Sequence, residues 1–260
     1  MAQLGESLAA FSYYKQQEER MKGLGTIINV IAILIGGIGG LLFGKKMQKR
    51  YQDTLMSANG LCVLFLGIGG CMEEMLKIAE GKLESGGSMM MIASFAIGAL
   101  LGEWINLELH MEEFGEWLKK KTGSEGDNRF VDAFVTASLT VCIGAMAVVG
   151  SIKDGISGDY TILAAKAVLD LIIILVMTAS MGKGCMFSAI PVGIFQGSIT
   201  ILAGLIEPLM TEEALSNISL TGSMLIFCVG INLMFGKKIK VANLLPTLLI
   251  AVAWAFLPIR

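Results

Sequence analysis

The sequence predicts an all-α protein, a polytopic transmembrane helix bundle of about eight spans. Three observations carry this. Apolar residues make up 54% of the chain and charged ones only 16%, whereas a soluble domain of this length would coat its core with charge. The charges cluster between apolar runs of about 17–22 residues, close to the ~20 that cross ~30 Å of hydrocarbon at ~1.5 Å per residue. Lysine and arginine also segregate. If alternate loops face opposite sides, one side holds Lys45, Lys46, Lys49, Arg50, Lys119, Lys120, Lys121, Arg129, Lys183, Lys237, Lys238 and Lys240, and the other only Lys77, Lys82 and Lys153. Cytoplasmic loops retain cations, so both termini are expected outside the cytoplasm, although Lys15, Arg20, Lys22 and Arg260 soften the bias.

Residues 1–22 read as an N-terminal extension. Phe11-Ser12-Tyr13-Tyr14 runs into the charged segment 15–20 without an apolar core of signal length, and Met21 is an alternative beginning. Residues 23–260 then form a single transmembrane domain. Its predicted spans are 24–43, 55–71, 89–105, 130–152, 161–181, 185–206, 215–235 and 241–257. The second is short and holds Asn59 and Gly60, which predicts a tilt or break; seven spans plus a re-entrant segment is the alternative count. Between the third and fourth, residues 106–121 predict an amphipathic helix in the membrane interface. Leu107, Met111, Phe114 and Leu118 recur at helical period, Glu108, Glu112, Glu113 and Glu116 take the other side, and Trp117 suits the headgroup level. It serves either as a connector or as a docking helix.

Internal echoes accompany these spans. Leu41-Leu42-Phe43-Gly44-Lys45-Lys46 returns as Leu233-Met234-Phe235-Gly236-Lys237-Lys238, and the acid-led start Asp53-Thr54-Leu55-Met56-Ser57-Ala58-Asn59 resembles Asp132-Ala133-Phe134-Val135-Thr136-Ala137-Ser138. They predict parallel internal repeats of a two-helix unit, an origin common among transporters. Gly36, Gly40 and Gly44, like Gly98 and Gly102, stand four apart and predict close helix crossings, within one chain or between the subunits of a dimer.

Polar side chains at depth are the functional candidates, because an ionisable group in hydrocarbon costs roughly 2.5–3.5 kcal/mol on insertion scales unless it is paired. Lys166 and Asp170 share a helix face four residues apart and can neutralise each other. Pro191 and Gly197 predict a loosened sixth span, with Gln196 and Ser198 beside freed carbonyls. Asn29, Asn59, Asn232 and Asn243 complete the expected ion- or solute-binding set. Each can equally serve as interhelical glue. Glu103 and Asp132 lie nearer span ends.

No cofactor, catalytic residue or metal site is expected. The sole histidine, His110, has no partner at metal-ligand spacing. Cys62, Cys71, Cys142, Cys185 and Cys228 are odd in number and lie within spans or at their edges. No phosphate-binding glycine loop or basic stripe is present, so neither ATP-driven transport nor nucleic-acid binding is expected. The chain does not read as an enzyme.

Gly25-Thr26-Ile27-Ile28-Asn29, the Leu41 to Lys46 motif, Asp53 to Met56, Gly150-Ser151-Ile152-Lys153-Asp154-Gly155, Gln196-Gly197-Ser198-Ile199-Thr200 and Asn243-Leu244-Leu245-Pro246 resemble the family labelled domain of unknown function 554, the YdfK/YqgA-like bacterial integral membrane proteins. The resemblance runs from Met21 to the C-terminus. It implies a prokaryotic cytoplasmic-membrane protein and supplies no substrate or site. The expected function is a small secondary transporter or channel for an ion or small polar solute. The alternative is a non-transporting scaffold or accessory subunit. Expected partners are the lipid bilayer, an unidentified solute and a second copy of the chain.

Overall fold

The structure, a computed structural model, describes residues 21–45, 47–79 and 82–257; most of the N-terminal extension lies outside them. Helix α1 (Leu24–Lys45) opens the bundle and α2 (Lys49–Met75) returns across it. The second helix is longer than its apolar run and continues unbroken through Asn59 and Gly60, because Gly60 lies against Leu233 and Met234 rather than opening a bend. A short antiparallel hairpin, β1 (Leu76–Ala79) and β2 (Lys82–Ser85), caps one end and was not legible in the sequence. Helix α3 (Ser88–Ile105) then leads through Asn106, in the left-handed region at φ 56°, into α4 (Leu107–Lys121).

The predicted fourth span is a broken helix. Its halves, α5 (Phe130–Cys142) and α6 (Ala145–Ser157), meet at 64° across Ile143-Gly144. Ile143 is extended and Gly144 has φ +140°, which a side chain would resist. Helix α7 (Thr161–Met181) follows, then a 3-10 turn (Lys183–Ser188), α8 (Ala189–Ile201), the short α9 (Ala203–Ile206) and a second 3-10 turn (Glu207–Leu209). Pro191 makes no kink. It falls in the first turn of α8, where its missing N–H has no helical partner to lose. Thr211 caps α10 (Glu212–Phe235), its hydroxyl accepting from the Ala214 amide at 3.1 Å.

The eighth predicted stretch is a 3-10 turn (Val241–Leu244) followed by α11 (Pro246–Trp254). At nine residues, α11 extends only about 13–14 Å and crosses part of a bilayer. Among the described residues, six helical segments are long and apolar enough to span, and the bent pair, taken as one span, would make a seventh. A belt of exposed apolar side chains, including Ile31, Ile35, Phe65, Ile92, Leu100, Leu169 and Leu205, surrounds the bundle. A water-facing surface would be costly in this form, and lipid accommodates it. The chain is an all-α, multi-pass membrane protein.

Glycines set the packing. Along α1, Gly36, Gly40 and Gly44 lie against the backbone of Leu171, Leu175 and Ala179, so α1 and α7 run parallel in close contact. Gly98 and Gly102 admit Thr247 and Asn243 in the same way. Both stripes are therefore occupied within one chain. The twin motifs divide in role: Gly44 is a helical packing position, whereas Gly236 ends α10 with φ +78°. At the centre stands α5, whose Phe130, Ala133, Phe134, Val135 and Val141 pack among Ile174, Met177, Val192, Leu225 and Val229.

Candidate functional site

Lys166 and Asp170 project from the same face of α7, and four elements converge on them. The Lys166 ammonium lies 2.8 Å from both carboxylate oxygens of Asp170. It also donates to the Val141 carbonyl at 2.8 Å. That carbonyl is free because α5 stops at the Ile143-Gly144 break, leaving its last turn without amides to accept. A cation at this helix end also meets the negative end of the helix dipole. Asp170 Oδ2 accepts from Asn29 Nδ2 of α1 at 3.0 Å, and the same amide donates to Gln196 Oε1 of α8 at 3.3 Å. Asn29 and Gln196 are wholly buried, and Asp170 and Lys166 keep 3% and 7% of their surface. An ion pair at such burial persists only because each charge is also hydrogen-bonded.

Two atoms of the network have no protein partner: Asn29 Oδ1, an acceptor, and Gln196 Nε2, a donor. Buried polar groups are normally satisfied, so this pair presents one vacant hydrogen-bonding role of each kind. One turn away, the Thr26 and Thr200 hydroxyls stand 3.5 Å apart. Beyond them lies a cavity of about 490 Å³ lined by Lys22, Gly23, Thr26, Ile27, Gly155, Gly197, Thr200 and Ile201. Toward the opposite end, a cavity of about 250 Å³ has Arg129, Asp132 and Lys237 among its lining, together with apolar Val135, Leu139 and Val229. Leu139 lies roughly 3 Å along α5 from Val141. Along the helices, the ion pair and its amides thus lie at a depth between those of the two cavities, one turn from the first and close to Leu139 of the second.

Of the eight candidate residues, the fold brings together Asn29, Lys166, Asp170 and Gln196. Ser198 donates instead to Ile194 within its own helix at 2.6 Å. Asn59 stays apart on α2, buried, with its amide nitrogen unpartnered. Asn232 shapes the turn after α10: its oxygen accepts from the Lys238 and Ile239 amides, both at 2.9 Å, and its nitrogen donates to the Ile239 carbonyl at 2.7 Å. Asn243 ties a corner, accepting from the Glu108 amide at 2.7 Å and donating to Glu103 at 2.6 Å.

That corner corrects the reading of α4. Glu108 is not on a solvated face; it is 5% exposed, accepts from the Ala242 amide at 3.0 Å and pairs with Lys237 at 2.9 Å. Glu112 pairs with the same lysine. On the other side of α4, Phe114 stacks on Trp117 and meets Phe134 edge-on, docking the helix against α5. Burial pulls the Lys237 ammonium down, but hydrogen bonds to Glu112 and Glu108 outweigh it and hold the pKa above the ordinary lysine value of 10.5. A raised folded pKa means the stabilisation is fully present below 10.5 and fades as pH rises through the higher value. Melting curves of the wild type and Lys237→Met are therefore expected to converge only in that alkaline range. Convergence between about pH 7 and about pH 9 would contradict the pairing.

The functional elements the sequence did not single out are backbone or local. The Val141 carbonyl carries no residue-type signal, and its only herald is the lone Gly144 within an apolar run. Thr26 and Thr200 stood beside Asn29 and Gln196 at helical spacing without carrying charge. Asp154, wholly buried, caps α1 from another helix by accepting from the Gly23 amide at 3.2 Å and the Gly25 amide at 3.0 Å. A carboxylate there satisfies free amides and the positive helix end. Among the described residues, no group of three or more His, Cys, Asp or Glu side chains is placed to hold a metal ion.

Lipid-facing helices around a buried ion pair and a bent helix pair define a polytopic integral membrane protein with a polar centre. The chain belongs to the family described as Protein of unknown function (DUF554), whose model matches residues 24–256. It is 34% identical over 226 residues to the "Uncharacterized membrane protein YdfK" of Bacillus subtilis strain 168, covering 87% of this chain and 93% of that one. It is 28% identical over 235 residues to the "Uncharacterized protein YqgA" of Escherichia coli strain K12, covering 88% and 94%. No solved structure matches the chain.

Proposed function

We propose that the protein is a small secondary transporter or channel of the prokaryotic cytoplasmic membrane, moving an ion or small polar solute past Asn29, Lys166, Asp170 and Gln196. One observation carries the reading: a buried ion pair, completed by the carbonyl of a broken helix, lies at a depth between those of two cavities with an unpartnered donor and acceptor beside it. Discontinuous helices and paired charges at depth are the usual material of transport sites. A proton or cation arriving at Asp170 competes with the Lys166 ammonium for one carboxylate. The Val141 carbonyl already accepts from Lys166, so the displaced ammonium is not stranded. A solute that both donates and accepts meets Asn29 Oδ1 and Gln196 Nε2. The Thr26–Thr200 contact closes one approach, and Val135, Leu139 and Val229 narrow the other. No cofactor or covalent chemistry enters. The Lys/Arg-rich end faces the cytoplasm in this reading, which reporter fusions after Lys121 and after Ser157 test by falling on opposite sides.

The test is uptake by proteoliposomes carrying the purified protein, scanned across monovalent cations, amino acids and organic acids with an internal pH-sensitive dye. Asp170→Asn and Gln196→Ala are expected to reduce uptake about tenfold or more, the effect of losing roughly a charged hydrogen bond. Uptake unchanged in both folded variants contradicts the site. A wild type that passes no solute, with the same substitutions lowering only stability, supports the scaffold instead.

A further inference from the structure

A second polar pocket lies at the Lys/Arg-rich end, away from the central network. It occupies about 290 Å³ where the parallel ends of α1 and α7 meet the segments preceding α5 and α8. Lys45, Arg129 and Lys183 line it, against a single carboxylate, Asp127. None of the three cations is in an ion pair among the described residues. This contrasts with the neighbouring corner, where Lys237 and Lys240 are neutralised by Glu108, Glu112 and Glu103. Asp127 already accepts from the Arg129 backbone amide at 3.1 Å. The pocket therefore carries a net positive charge that its own residues leave uncompensated.

A second, independent feature points inward. Thr178 lines the same pocket, is only 2% exposed, and its hydroxyl has no hydrogen-bond partner. Its neighbour one half-turn on, Ser180, behaves as helical hydroxyls usually do and donates back to the Val176 carbonyl at 3.0 Å. A buried hydroxyl without a protein partner, in a pocket lined by three cations that make no ion pair among the described residues, can donate to an acceptor bound there. Arginine supplies a planar fork, the lysines supply point charges, and the hydroxyl adds a short directional bond; tetrahedral phosphate oxygens accept all three. The position suits such a ligand, because basic pockets between helices at this end of a membrane protein meet anionic headgroups.

We propose that Lys45, Arg129, Lys183 and Thr178 form a binding site for a phosphate group. The group arrives either on an anionic phospholipid or as free phosphate, and the two sources separate experimentally. Full-length protein is melted in a phosphate-free maltoside detergent alone, in the same detergent with added phosphatidylglycerol, and in the same detergent with added inorganic phosphate. Stabilisation by phosphatidylglycerol but not inorganic phosphate assigns the site to lipid, and stabilisation by both assigns it to phosphate generally. The double variant Arg129→Gln/Lys183→Gln is expected to weaken the apparent affinity about tenfold or more, given the contribution of each basic residue near the surface. Thr178→Val, which keeps the shape against Gly40, is expected to weaken it less. Lys120→Gln, an exposed cation on the same end outside the pocket, is expected to leave it unchanged. No stabilisation by either phosphate source overturns the proposal, as does an equal loss in Lys120→Gln, which would mark the effect as undirected surface charge.

Discussion

Asp170→Leu alone is expected to destabilise the bundle by about 3–5 kcal/mol, the usual consequence of removing one partner of a buried ion pair. The cost arises from what remains. Lys166 would be left buried with only the Val141 carbonyl to accept from it, and Asn29 would lose its carboxylate acceptor. The double variant Lys166→Met/Asp170→Leu removes both charges and is expected to recover most of that loss, because apolar replacements of buried pairs are often neutral or stabilising. Thermal melts in detergent, with the two single variants and the double in one series, read the coupling. A single Asp170→Leu that melts like the wild type would show that the charges are not confined together. Recovery of stability without recovery of uptake would separate the functional from the structural role of these groups.

Gly40→Val is expected to cost about 3 kcal/mol or more, at the upper end of overpacking effects. A Cβ at this position overlaps the Leu175 carbonyl and falls 2.7 Å from Thr178 Cβ, and rigid helix backbone cannot yield as a side-chain tip would. Gly36 meets the Leu171 carbonyl in the same way, so either substitution pries α1 from α7 and with it Asn29 from Asp170. Gly69→Ala is the control. Nothing lies within 4 Å of its added methyl, and alanine favours helix over glycine by roughly 0.5–1 kcal/mol. It should melt at or slightly above the wild-type temperature. Equal losses at Gly40 and Gly69 would sink the view that the stripe is a specific crossing.

Charge segregation and apolar length made the helical membrane architecture legible, and the spacing of Lys166 and Asp170 made their pairing legible, since four residues on a helix is local geometry. Glycines four apart announced close crossings. Their partners stayed hidden, because Leu171, Leu175 and Asn243 contribute backbone, which has no sequence signature. The break in the fourth span was missed for the same reason: Ile143 and Gly144 sit inside an unremarkable apolar run, and only the fold turns them 64° and presents the Val141 carbonyl to a lysine. The asparagines at 29, 59, 232 and 243 look alike in the sequence. Asn29 reached the network, whereas Asn232 was drawn to the turn that follows α10 and Asn243 to the Glu108 amide and the Glu103 carboxylate, and no single-residue property distinguishes these outcomes. Glu108 shows the converse, since its helical face predicted solvent until Lys237, more than a hundred residues away, came to neutralise it.

The central claim is that Asn29, Lys166, Asp170 and Gln196 form a ligand-responsive site and are more than interhelical glue. Thermal-shift screening of the purified wild type and the charge-free Lys166→Met/Asp170→Leu variant tests it most directly, against protons, monovalent cations, amino acids and organic acids. At least one of these is expected to raise the wild-type melting temperature in a concentration-dependent manner and leave the variant unmoved. A wild type that responds to none of them, or a variant that responds as the wild type does, would contradict the account.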